Sequence, residues 1–273
     1  MATPTTRYRS NSVTDESTNF FRDVAKYPER FYIIHYSSQS LYDEGVDGLS
    51  PRITSIVVMH YATRQTVSFA LHAEAEVLGI SKDDVEINYD TLEKSLLKRF
   101  YDFARDRREK YWVHWNMRNL TFGFEHLEHR YRSLCAAEPP SITVEVRINL
   151  SGMLVDRYGP DYALSPRMKN LMLLNGELDV RFLEGAKEAE AFKNKEFIRM
   201  HSSTISKVEF FRHAISLAIQ GKLHTAGRGV LVRIDRLLEG RWARVIAFVA
   251  AVAGILSLPI AAYQVFLWLH GSL

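Results

Sequence analysis

Three segments early in the chain carry β-branched and aromatic residues in the short alternating runs that strands need: residues 30–37, 53–60 and 66–72. The last two flank "ATRQ", which predicts a hairpin and makes the opening an antiparallel meander. The period then changes. In "YDTLEKSLLKRFYDFARDRREK" Leu92, Leu96, Leu97, Phe100 and Phe103 recur at helical spacing, and a short apolar strand, "YWVHW", follows. The stripe of Phe124, Leu127, Tyr131 and Leu134 predicts a second helix over residues 120–135, and "PPSITVEVRINL" reads as a strand introduced by a proline pair. From residue 151 the pattern stays helical almost to residue 220. Three strands, a helix, a strand, a helix, a strand and further helices predict an α/β domain, a mixed sheet covered on both faces.

The two ends differ from this pattern and from each other. Residues 1–23 open Thr/Ser-rich with no apolar run, so they are neither a secretory signal nor an anchor and read as a flexible tail. Residues 245–269, "VIAFVAAVAGILSLPIAAYQVFLWL", pass without a charge, long enough to cross a hydrocarbon layer of ~30 Å. A buried core helix is the weaker reading, because core helices of that length nearly always carry a charge. Between residues 221 and 244 lies a basic, glycine-punctuated linker. Its Leu231, Ile234, Leu237 and Leu238 predict a short amphipathic helix on a membrane surface. Arg228, Arg233, Arg236, Arg241 and Arg244 precede the apolar segment and only His270 follows it, so the positive-inside rule expects residues 1–244 in the cytoplasm of a single-pass, tail-anchored protein. Gly254 and an Ala-rich face would let two such helices approach closely and form an oligomer.

Composition narrows the rest. With 47% hydrophobic and 25% charged residues the chain as a whole has the balance of a folded protein, residues 24–220 are read as one domain, and a net charge of +3 does not by itself point to nucleic acid. One cysteine, Cys135, excludes an internal disulfide and a Cys-based zinc ribbon. No Gly-rich phosphate loop, nucleophile elbow or cysteine nucleophile is recognisable.

The stretch "YIIHYSSQSL" resembles the first motif of the DEDD 3′–5′ exonucleases: an apolar strand, Asp, any residue, Glu, two small polar residues, Gly and Leu. His35 then stands at the Asp position, Ser37 at the Glu position and Leu41 at the closing Leu. "WVHWNMRNLTFGFEHL" is similar to the second motif, with Asn116 at its Asn and Asn119 or Leu120 near its Asp. "SPRMKNLMLLNG" resembles the helix before the last motif. "HSSTISKVEFFRHAI" resembles that motif itself, with His201 matching and Ser206 at the Asp position. The resemblance spans most of residues 30–220 and implies a ribonuclease H-like fold. In the family, carboxylates hold two divalent cations about 4 Å apart, one activating water and the other steadying the leaving oxygen. Hydroxyls and amides cannot supply that charge, so the resemblance implies a domain that has lost its Mg²⁺ or Mn²⁺ and its catalysis. His35 and His201 read as structural rather than catalytic.

Other features are read against plainer explanations. His126 and His129 in "FEHLEHRYR" match no zinc motif and read as a solvated face of mixed charge. The basic tract over residues 98–110 carries its aromatics on the apolar stripe, so a core-facing helix is preferred to a nucleic-acid surface. Residues 184–197 alternate charge signs as a solvent-exposed helix held by i,i+4 pairs does. "WVHWNMRN" offers more, because Trp115, Asn116, Arg118 and Asn119 follow a central strand at the edge where open α/β sheets place ligands. The expectation is a membrane-anchored cytosolic pseudo-nuclease domain that binds, senses or scaffolds, with no metal site and no cofactor. Its partners would be membrane lipid together with a protein or nucleic acid, and by analogy its setting would be bacterial anti-phage defence at the inner membrane. The alternative is a membrane-bound exonuclease in which Asp43, Glu44 or Asp47 rebuilds a Mg²⁺ or Mn²⁺ site.

Overall fold

The structure is a computed structural model that describes residues 13–39, 50–118, 122–176 and 178–226. The chain divides into two units, Met1–Thr225 and Ala226–Leu273, and the account below concerns the first. The apolar segment 245–269 and the flanking Arg228, Arg233, Arg236, Arg241 and Arg244 lie outside the described residues. Among the described residues no helix is long and apolar enough to cross a membrane.

The fold is α/β, with a five-stranded mixed sheet. Its strands are β1 (Phe31–Ser38), β2 (Ile53–His60), β3 (Thr66–Ala70), β4 (Tyr111–His114) and β5 (Arg147–Asn149), in the order β3-β2-β1-β4-β5. The three N-terminal strands pair antiparallel, Tyr32 opposite His60 and Ile56 opposite Phe69. β4 and β5 join parallel, Phe31 beside Tyr111 and Trp112 beside Arg147. The hairpin turns at Arg64, whose φ is +63°.

The pleat of β1 sorts its side chains between two cores, as a period of two requires. Ile34 and Tyr36 face α3 (Tyr89–Arg105) and α4 (Phe124–Cys135), in a core with Leu92, Leu96, Phe100, Trp112 and Leu127. Phe31 and His35 turn the other way. Phe31 meets Phe20 of α1 (Val13–Lys26) at 6.0 Å, and His35 meets Phe211 of α8 (Phe197–Ile219) at 5.5 Å. α8 is 23 residues long and packs on β1 and β2. The inward stripe of its second half is apolar, with Val208, Phe211, Ala214, Ile215 and Ala218 buried; its first half is more polar, burying Ser203, Thr204, Ser206 and Lys207 after Phe197 and Met200.

Several expectations need correction. Helix α1 begins at Val13, within the stretch read as a tail to residue 23. Its Phe20, Phe21 and Val24 are buried, and that apolar stripe outweighs the Ser/Thr-rich composition. The third strand stops at Ala70, and α2 (Leu71–Leu78) takes over, because "LHAEAEVL" is built of strong helix formers and Gly79, φ +67°, supplies the left-handed stop. The last predicted strand shrinks to β5. Pro139 and Pro140 lack donors for a ladder, and Val144–Val146 forms a single 3-10 turn. The helical run after residue 150 consists of α5 (Leu150–Tyr158), α6 (Arg167–Leu174), α7 (Gly185–Lys193) and α8.

Candidate functional site

Ser37 lies near the C-terminal end of β1, where the polar half of α8 and the helix α7 cover the sheet. A buried carboxylate, Glu188 of α7, organises this end. Its Oε1 accepts from three donors: Lys207 Nζ of α8 at 2.6 Å, the Ser203 hydroxyl at 3.3 Å and the Ser37 hydroxyl at 3.4 Å. The ammonium and carboxylate side chains are only 6% and 7% exposed, so the ion pair is a closed one. The hydroxyls of Ser203, Ser206, Thr204 and Ser55 around it are all hydrogen-bonded. Ser203 Oγ accepts from the Leu183 N–H at 3.0 Å, and Ser206 Oγ donates to the Ser203 carbonyl at 2.9 Å. Thr204 spends its hydroxyl proton on the Met200 carbonyl, which makes Ser55 the donor in the 3.1 Å Ser55–Thr204 contact.

His35 sits beside this cluster with its ring edge-on to Phe122 and Phe211, and Nδ1 has no hydrogen bond. Burial holds its pKa well below the usual imidazole range, and the nearby Lys207 and His114 add to that effect. It is a neutral packing residue. His201 matches the family's histidine in the resemblance, yet it lies with His72 of α2, ring centroids 5.1 Å apart, and not with the Glu188 cluster. Burial and the His72 neighbour lower its pKa to about 4. His72 lines a hollow of about 470 Å³ with Ile80, Val85 and Phe197, so the pair belongs to the α2–α8 seam.

The motif positions are therefore split. Ser37 joins the Glu188 cluster, Ser206 is bonded to its own helix, and His201 faces another element. Leu41, Asp43, Glu44, Asp47, Asn119 and Leu120 lie outside the described residues. No group of three or more His, Cys, Asp or Glu among the described residues is placed to hold a metal ion. The donors at the end of β1 do not fit a divalent cation: two serines, a neutral imidazole, and one carboxylate already saturated by an ammonium.

The "WVHWNMRN" segment resolves into two kinds of residue. Trp115 is buried and stacks on Phe211 at 5.4 Å, which removes it from the expected contact side chains. Asn116 and Arg118 are exposed. Asn116 takes φ +51°. Its N–H donates to Asn149 Oδ1 at 2.9 Å and its Oδ1 accepts from Asn149 Nδ2 at 3.1 Å, so a turn residue in a strained conformation is clamped to β5. His114, below the turn, accepts from the Met117 N–H through Nδ1 at 3.1 Å. Burial, with Arg118 and Arg147 assisting, lowers its pKa to about 3.

Two readings of charged helices are corrected. His126 does not lie on a solvated face but is buried, 2.9 Å from both Tyr36 OH and the Pro51 carbonyl. A carbonyl only accepts, so Nε2 carries the proton and Nδ1 accepts from Tyr36, whose oxygen in turn accepts from the Gly123 N–H at 2.8 Å. Glu188 likewise sits inside a helix expected to be solvent-exposed. Its signal was present: Glu188, Ala191 and Phe192 form an i, i+3, i+4 set, and Lys207 lies midway between Ser203 and Phe211 on the inward stripe of α8.

No protein-family model matches the chain, and comparison with characterised proteins and with solved structures returns no match.

Proposed function

We propose that this chain is a membrane-anchored module whose cytosolic domain is a degenerate relative of the DEDD exonucleases, serving binding, sensing or scaffolding rather than hydrolysis. The order β3-β2-β1-β4-β5, with three antiparallel strands and two parallel ones, is consistent with a ribonuclease H-like fold. One observation carries the reading. Each buried carboxylate among the described residues already has a cation: Glu74 has Arg99, Glu93 has Arg130, and Glu188 has Lys207. At the end of β1 the Lys207 ammonium balances the charge that a metal would balance in an active nuclease.

The exposed Asn116 and Arg118 are the contact residues we assign for a protein or nucleic-acid partner, and anti-phage defence is the setting assigned by analogy. The test is to incubate the full chain in detergent with end-labelled single- and double-stranded DNA and RNA, with Mg²⁺, Mn²⁺ or EDTA, and follow product length. Intact substrate in every lane is expected. Metal-dependent trimming from the 3′ end would overturn the reading in favour of the exonuclease alternative and direct attention to Asp43, Glu44 and Asp47.

A further inference from the structure

The hollow between α2 and the start of α8 has a volume of about 470 Å³, within the range of about 300–1,000 Å³ that small-molecule sites occupy. Ala75, Ile80, Val85, Phe197 and Ile198 give it apolar walls, and Ile198 stays 64% exposed there. These walls are held in place by the fold itself. Gly79 turns the chain at φ +67°, the Ile80 N–H donates to the Ala75 carbonyl at 2.9 Å, and Ser81 Oγ donates to Asp84 Oδ2 at 2.7 Å. On the other side Phe197 lies edge-on to Tyr89 and to Phe192, each at 6.0 Å. Lys195, in the turn before α8, reaches Glu86 at 2.9 Å and joins the two sides.

The charged side chains around the hollow divide into paired and unpaired ones. Lys195 has Glu86, and Arg199 has Glu196 at 2.7 Å. His72 adds no charge at pH 7, because burial lowers its pKa against the opposite pull of Glu76. Lys82 and Glu76 remain. Both line the hollow, both are exposed, and neither has an ion pair among the described residues. One ammonium and one carboxylate beside an apolar hollow match a ligand that carries both signs on an apolar body.

We propose that this hollow binds a small apolar zwitterion, an aromatic or branched α-amino acid or a dipeptide of them. Its carboxylate meets Lys82, its ammonium meets Glu76, and its side chains pack against Ala75, Ile80, Val85, Phe197 and Ile198. A singly charged ligand answers only one of the two unpaired groups, whereas a zwitterion answers both. The site shares no residue with the end of β1 or with Asn116 and Arg118, and it depends neither on the exonuclease resemblance nor on the anchor.

The experiment is isothermal titration calorimetry on the full chain in detergent at two temperatures, with titration into micelles alone subtracted. The probes are L-phenylalanine, L-leucine and the dipeptide phenylalanyl-leucine, set against 3-phenylpropionate, which lacks the ammonium, and phenethylamine, which lacks the carboxylate. Saturable binding of at least one zwitterion is expected, several-fold tighter than either singly charged analogue, and the tighter of amino acid and dipeptide identifies the source. Lys82→Gln and Glu76→Gln, both at exposed positions, should each weaken it several-fold. Ala75→Phe fills the hollow and should abolish binding; if that variant does not fold, Ile198→Ser at an exposed position takes its place, with a several-fold loss expected. Absence of saturable binding for all three zwitterions would overturn the site. Equal affinity for the singly charged analogues would overturn the zwitterion, and affinity unmoved by the variants would place the binding elsewhere and overturn the assignment to this hollow.

Discussion

Two buried ion pairs, Glu93–Arg130 and Glu188–Lys207, use the same charges in different ways. Glu93 is held in a fork: Arg130 Nε donates to Oε1 at 2.8 Å and Nη2 to Oε2 at 2.5 Å, while the Ile53 N–H donates to Oε1 at 3.0 Å. Burial pushes its carboxyl up, and the Arg130 guanidinium and the Ile53 amide pull against that. This pair ties α3, α4 and the start of β2 into one body. Glu188 receives a point charge and two hydroxyls, all on Oε1, in the polar half of the α8 interface at the end of β1. A planar guanidinium with a backbone donor makes a clamp, whereas an ammonium among serines balances charge without fixing direction.

The largest effect should come from cutting each pair on one side. Arg130→Met leaves Glu93 buried with only the Ile53 amide and is expected to cost about 3–5 kcal/mol of unfolding free energy in a urea titration. Lys207→Met should cost about half as much, since Ser37 and Ser203 still donate to Glu188. Equal losses would mean that the geometric contrast carries no energetic one.

Acid is expected to act next, and on the clamp side. His126 bonds Pro51 and Tyr36 beside Arg130. Burial lowers its pKa to about 4, against an ordinary value of 6.5. The folded state therefore holds this imidazole neutral while the unfolded chain takes up a proton, so stability is full above pH ~6.5 and falls as pH drops toward about 4. The loss from this residue is on the order of 2–3 kcal/mol. His114, lowered to about 3, adds in the same direction. Urea midpoints measured from pH 7 to 4 check the sign, and His126→Gln should flatten the curve.

Replacing both partners at once sharpens the contrast on a smaller scale. Glu188→Leu with Lys207→Met is expected to cost about 1–2 kcal/mol, because it removes both charges but leaves the rotatable Ser37 and Ser203 hydroxyls without their carboxylate acceptor. Glu93→Leu with Arg130→Met should cost about 1–3 kcal/mol, because it strands the buried Ile53 N–H. The smallest expected effect is at the exposed turn. Asn116→Gly relieves φ +51° and loses one side-chain bond to Asn149, so its net change should stay under about 1 kcal/mol by the same titration.

This contrast also separates what was legible in the sequence from what was not. The β-branched and aromatic runs announced β1 and β2, which are buried on both faces, and the stripe of Leu92, Leu96 and Phe100 announced α3, where one core face selects the apolar positions. The charge alternation around Glu188 looked like a solvated helix because the partner, Lys207, lies on another element, and pairing between elements leaves no local period. His126 was missed for the same reason: its two acceptor and donor partners, Tyr36 and Pro51, sit 90 and 75 residues away. α1 and α2 were missed on composition, where Ser/Thr content and a preceding β pattern hid Phe20, Phe21 and a run of helix formers.

The fastening of His224 to Asn175 has a mechanical side. Any pull transmitted along the chain from beyond Ala226 arrives first at two hydrogen bonds and the buried Leu223, in series with the C-terminal end of α8 and before any strand of the sheet. Tension there would open the contacts one after another, as a strip peels, while the sheet would have to yield across its registers together. A domain built this way has a fuse where the described chain leaves it, and the Glu188 cluster, whose Ser203 and Lys207 lie in the first half of α8, is separated from that fuse by the second half of the helix.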